Sequence, residues 1–78
     1  MTGYVPTYRV ILNNIRKSIA SGSLKPGDRL PTLPELAEKY ECSIGTARRA
    51  VEILLETEEI HGRQGVGTFV GPRPERHS

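Results

Sequence analysis

The sequence predicts a small α+β domain, mainly α, in which three helices are followed by a β-hairpin. Three observations carry that prediction. The stretch Cys42 to Leu55 sets Ala47, Ala50, Val51 and Leu54 at the i, i+3, i+4, i+7 spacing of a buried stripe, and turns Gly45, Arg48, Arg49 and Glu52 the other way. Ahead of it, Thr32-Leu33-Pro34-Glu35 has the form of a capping box, with a threonine N-cap, a glutamate at N3 and a proline in a first turn whose amides lack helical partners anyway. Behind it, Ile60-His61-Gly62-Arg63 and Thr68-Phe69-Val70 flank Gln64-Gly65-Val66-Gly67, the pattern of a hairpin with a glycine-rich tip.

Taken in order, residues 1–6 hold Gly3 and Pro6 and are expected to be a flexible lead-in. A first helix is expected from Thr7 to near Ser21, because Ile11, Ile15 and Ile19 recur at i, i+4, i+8 beside Leu12 and Gly22 suits the C′ position. Arg9, Arg16 and Lys17 lie off its stripe and read as ordinary solvated charges. From Gly22 to Pro31 the glycines and prolines around Leu24 and Leu30 make a connector, where a short edge strand could begin at Arg29 and Leu30. The second helix then runs from its Thr32 cap to about Tyr40. Leu33, Leu36, Ala37 and Tyr40 are its apolar positions, and Glu35 with Lys39 is a favourable i, i+4 pair.

Only Glu41 and Cys42 separate Tyr40 from Ser43, the expected N-cap of the third helix, so the two helices must cross sharply as a helix-turn-helix. Cys42, in that turn, reads as a small core filler. Ile53 and Leu55 flank the buried stripe and are either core or a subunit contact, with core favoured. No glycine follows the third helix until Gly62, so its acidic end is expected to run long or fray. The hairpin directly after a helix-turn-helix reads as a wing, with Arg63 and Gln64 beside a groove. Gly65-Val66-Gly67 is no dinucleotide fingerprint, since it lacks a third glycine and precedes a strand-like triplet. Residues 71–78 are expected to be a frayed tail.

Totals narrow the function classes. Seventy-eight residues make one small domain, and a hydrophobic fraction of 36% with mean hydropathy −0.41 fits a soluble chain without a membrane span or a secretory leader. Cys42 is the sole cysteine, which excludes an internal disulfide and points to a reducing cytoplasm. His61 and His77 lie far from other ligand types, and no phosphate loop or nucleophile–base pair is present, so neither an enzyme nor a metal or cofactor is expected. A net charge of +2 and a pI near 9.0 favour nucleic acid mildly. Distribution says more than the sum. Arg48 and Arg49 precede a run holding Glu52, Glu56, Glu58 and Glu59, so one end of the third helix attracts phosphate and the other repels it.

Pro26-Gly27-Asp28-Arg29-Leu30-Pro31-Thr32, Glu35-Leu36-Ala37, the segment Ser43 to Ala50 and Gly65-Val66-Gly67-Thr68-Phe69-Val70, in that order, resemble the DNA-binding domain of the GntR family of bacterial transcription regulators. The likeness runs from about Pro6 to Val70. It implies a winged helix-turn-helix whose third helix enters the major groove of double-stranded DNA and whose wing tip reaches the adjacent minor groove. It also implies DNA contacts at Thr32, Ser43, Ile44, Gly45, Thr46, Arg48, Gln64 and Gly65, to which the charge pattern adds Arg49 and Arg63. Two departures matter: the family usually has arginine where this chain has Pro34 and again where it has Ile44. Base reading should therefore shift to Thr46 and Arg48, with Ile44 against a thymine methyl and Thr32 and Ser43 on phosphates. Thr57-Glu58-Glu59 departs too, where the family tends to place a glycine and a leucine. By the same resemblance the function is a regulator, a repressor in particular, acting as a homodimer on an inverted repeat and binding a small-molecule effector only through a further C-terminal domain. The alternative is a winged helix used for protein interaction, docking through Ile53, Leu55 and the wing, or an accessory DNA-binding module without its own regulatory domain.

Overall fold

A computed structural model of the chain describes residues 7–72, so the lead-in at 1–6 and the tail from 73 onward lie outside the described residues. The elements follow as α1 (Thr7–Ser21), α2 (Leu33–Lys39), α3 (Ile44–Glu56), β1 (Ile60–Arg63) and β2 (Gly67–Val70). Helix α1 ends where the isoleucine stripe does, and Gly22 takes the left-handed backbone, φ 90°, that closes it. The capping box of α2 is formed in full: Thr32 Oγ1 accepts from Glu35 N–H, and Thr32 N–H donates to Glu35 Oε1 at 2.8 Å. Glu35 is thereby held below the ordinary carboxylate range, first by the backbone N–H of Thr32 and then by its hydroxyl, with a smaller contribution from the charge of Arg29. The expected Glu35–Lys39 pair is not formed. The ammonium of Lys39 lies instead 5.6 Å from the centroid of the Tyr40 ring.

The turn between α2 and α3 closes by two bonds, Cys42 N–H to Ala37 O at 2.9 Å and Glu41 N–H to Glu38 O at 3.3 Å, with Glu41 at φ 52°. Helix α3 stops in the same way. Glu59 N–H reaches Leu54 O at 3.0 Å, Glu58 N–H reaches Leu55 O at 3.1 Å, and Glu58 stands at φ 60°. The acidic end therefore neither runs on nor frays, because a glutamate takes the left-handed position that glycine fills most cheaply.

All three helices meet in one core, where Ile11, Ala47, Ala50 and Leu54 are wholly buried beside Ile15, Leu30, Leu36, Ile60 and Val70. Cys42 and Ile53 are half-buried against that core, as expected, while Leu55 is 38% exposed and belongs to the surface. Beside the helices, β1 and β2 pair antiparallel with Ile60 opposite Val70 and Arg63 opposite Gly67. The edge strand is present in its smallest form, a single antiparallel bridge from Arg29 to Phe69.

One surface charge of the sequence turns out to be structural. Arg16 donates Nε and Nη2 to the carboxylate of Glu59, the shortest contact being 2.8 Å, across 43 positions of sequence. The pair ties α1 to the exit of α3. The hydrogen bonds from Arg16 hold the Glu59 carboxyl below its usual range, and Thr57 adds a smaller push the same way. Gly71, which the sequence groups with the tail, is held as well: its N–H donates to Glu59 O at 2.8 Å, and its carbonyl accepts from His61 Nδ1 at 2.9 Å.

Candidate nucleic-acid interface

The buried stripe of α3 fixes what the helix can present. With Ala47, Ala50 and Leu54 facing inward, Ile44, Gly45, Arg48, Arg49 and Glu52 must face out, and all five are exposed. Ser43 sets the start of that surface. Its hydroxyl accepts from Thr46 N–H at 3.1 Å and lies 2.9 Å from Thr46 Oγ1, so the two hydroxyls share a proton link at the helix entrance. The amides of Ile44 and Gly45, at the first two helical positions, have no helical acceptor and open toward solvent.

The two arginines differ. Arg48 is exposed and makes no ion pair among the described residues, Glu52 one turn further on included. Arg49 leans over the Tyr8 ring of α1, its guanidinium carbon 5.4 Å from the centroid, which places it at the α1 border of the face. Ile44, 45% exposed, is a large apolar side chain at the tip of the helix that the described residues leave uncovered.

On the second element, Thr32 is exposed but its N–H and its acceptor lone pair are both spent on the capping box. The amide of Leu33 is what this turn can still offer a phosphate, since Pro34 has no N–H. On the wing, Arg63, Gln64 and Gly65 are exposed, Val66 N–H closes the tip onto Arg63 O at 3.0 Å, and Gly65 takes φ 77°. Arg63 lies over the Phe69 ring, 5.7 Å from its centroid. One further basic residue, absent from the sequence-predicted contacts, stands beside the wing: the Nε of Arg29 is only 2.9 Å from where a Cβ on Gly67 would be. A basic residue one step before the buried Leu30 of a predicted edge strand is the signal that could have found it.

Three helices, a tight turn between the second and third, and a hairpin stacked behind them define a winged helix-turn-helix. The family model of bacterial regulatory proteins of the gntR family matches residues 7–70, and the chain belongs to that family. It is similar to the mannosyl-D-glycerate transport/metabolism system repressor MngR of Escherichia coli, 44% identical over 68 residues, which cover 87% of this chain and 28% of MngR. It is also similar to the arabinose metabolism transcriptional repressor of Geobacillus stearothermophilus, 35% identical over 72 residues that cover 91% of this chain and 20% of that repressor. The chain thus spans less than a third of either relative. Among solved structures, AraR(DBD) in complex with operator ORR3 superimposes with a TM-score of 0.84 at 30% identity, over 91% of this chain and 86% of that one.

Proposed function

We propose that the chain, as a winged helix-turn-helix domain over residues 7–70, binds double-stranded DNA in a sequence-specific manner as the reading head of a bacterial transcription repressor. The observation that carries this is the first half of α3: capped, exposed and, among the described residues, without partners for Arg48 or Ile44. On this reading α3 enters the major groove, with Arg48 and Thr46 on base edges and Ile44 against a thymine methyl, and with Ser43, Gly45 and Arg49 near the flanking backbone. The wing tip, Arg63-Gln64-Gly65, lies in the next minor groove, and Thr32 meets the phosphates between. Two copies bind the halves of an inverted repeat, and a small-molecule effector acts only through a further C-terminal domain. The chain works in the cytoplasm, needs no cofactor and catalyses nothing. No helix among the described residues is long and apolar enough to cross a membrane. Leu55, exposed on the side of α3 away from its N-terminus, supports a second role as a protein-contact surface.

Selection from a random duplex pool, followed by mass measurement in solution with and without the winning duplex, tests this directly. The expected outcome is a two-half-site sequence bound by two copies, with affinity falling steeply as salt rises. A pool without enrichment, together with binding indifferent to salt, would favour the protein-contact role instead.

A further inference from the structure

Arg29 belongs to neither the helix-turn-helix nor the hairpin, yet the fold places it between them. Its backbone forms the third strand: Leu30 N–H donates to Thr68 O and Val70 N–H to Asp28 O, both at 2.8 Å, on either side of the Arg29–Phe69 bridge. Leu30 is 3% exposed and turned into the core, so the alternation of a strand sends Arg29 to the outer face with Phe69. Arg63 reaches the same face from the opposite neighbour, stacked over Phe69. Two guanidinium groups therefore stand on the outer face of the wing, one from each strand flanking β2.

The chain reserves the room for this arrangement. Arg29 Nε lies 2.9 Å from where a Cβ at position 67 would stand, so Gly67, at φ 145°, lets the end of that side chain sit there without shifting. The nearby carboxylates are bonded elsewhere. Asp28 Oδ2 accepts from Lys25 N–H at 2.9 Å, and Glu35, which feels the Arg29 charge only at longer range, is committed to Thr32. Arg29 also lines the groove that runs past Pro31 and Thr32 and along α2 by Glu35 and Lys39. An exposed guanidinium, lying against Gly67 and bonded to no described carboxylate, is suited to a planar bidentate anion such as a phosphodiester.

We propose that Arg29 is a DNA-backbone contact, gripping a phosphate between the groove entered by α3 and the groove entered by the wing. The proposal rests on the DNA-binding function above. It makes Arg29 a registering contact that reads no base: it would set where the wing lands relative to α3, and with Arg63 it would give the wing two cationic anchors. The capping box makes this the more necessary, since Thr32 has spent its own N–H.

The test compares the unmodified chain with Arg29→Gln and Arg29→Lys on the selected duplex and on a scrambled duplex, over a range of salt. Arg29→Gln is expected to weaken binding to both duplexes roughly tenfold. It should also make the slope of log affinity against log salt shallower by about one, the signature of one lost phosphate contact. Arg29→Lys is expected to keep the slope of the unmodified chain. The slope is read with Arg29→Lys beside it, because that variant keeps the charge and hence the counterion release while losing the bidentate guanidinium. An unchanged slope for Arg29→Gln, or a loss confined to the selected sequence, would overturn the proposal while leaving DNA binding intact. Failure of the unmodified chain to bind any duplex would overturn both.

Discussion

The two ends of α3 are built to opposite rules. At its C-terminal end the groups that matter have partners: Leu54 is wholly buried, Glu58 and Glu59 close the helix by backbone bonds, and Arg16 holds Glu59 from α1. At its N-terminal end the backbone is capped by Ser43 but outward positions are left open, with Ile44 uncovered, Gly45 bare and Arg48 unpaired among the described residues. Both ends contribute to one helix, but the outward side chains of the second add little to its stability. Groups that cost stability by exposure or by missing partners persist where something outside the fold can use them.

The contrast can be broken at either end. Leu54→Ala should have the largest effect, a loss of about 3 kcal/mol in chemical denaturation, because the side chain is 0% exposed and sits in the core cluster. For a domain of this size that is a large part of the whole. Arg16→Ala should cost about 0.5 to 1 kcal/mol and lower the thermal midpoint by a few degrees, without changing DNA affinity once the protein is folded.

The same pair predicts a pH dependence with a definite sign. Since the folded-state pKa of Glu59 lies below its ordinary value of 4.5, the stabilisation is complete above that value and is lost as pH falls through the lower folded-state value. Replacing Glu59 by Gln should flatten this acid limb in a denaturation series. An acid limb as steep in Glu59→Gln as in the unmodified chain would show that the pair contributes nothing to acid sensitivity.

Smaller effects sharpen the comparison. At Gly45 an added Cβ meets only Ser43 Oγ at 3.8 Å, ordinary contact, so Gly45→Ala should raise stability by about 0.5 to 1 kcal/mol as helix propensity improves. It should at the same time weaken duplex binding, since the methyl group would stand on the face proposed to meet DNA. Opposite signs in the two assays are the expected result. Glu58→Gly at the other end should also stabilise, by roughly 0.5 kcal/mol, by relieving a left-handed backbone, and should leave DNA affinity unchanged.

Features that neighbouring residues decide are legible in the sequence. The Thr32 and Ser43 caps, the α3 stripe, the tight turn at Cys42 and the hairpin all follow from spacing over a few positions, and the structure has each of them. Features that depend on tertiary approach are not. Arg16 resembles a solvated charge because Glu59 is remote in sequence, and Glu35 looks free for Lys39 until its cap is seen to take its carboxylate. Arg29 gives little signal because only the folded wing brings Gly67 beneath it. The end of α3 is hidden because glutamate does not advertise a left-handed residue. Within the candidate site, periodicity alone exposes the outer face of α3, whereas the capping bonds of Thr32 and the contact of Arg49 with Tyr8 are seen only in the fold.

The central claim is that the bare N-terminal end of α3 reads DNA, and Arg48 is its most exacting probe. Arg48→Ala should be titrated against the selected duplex and against duplexes carrying single mismatches, with the thermal midpoint followed alongside. The expected result is a midpoint close to that of the unmodified chain, a loss of about 1 to 3 kcal/mol on the selected duplex, and reduced discrimination against mismatch at one position. Unchanged affinity for every duplex, at an unchanged midpoint, would contradict the claim.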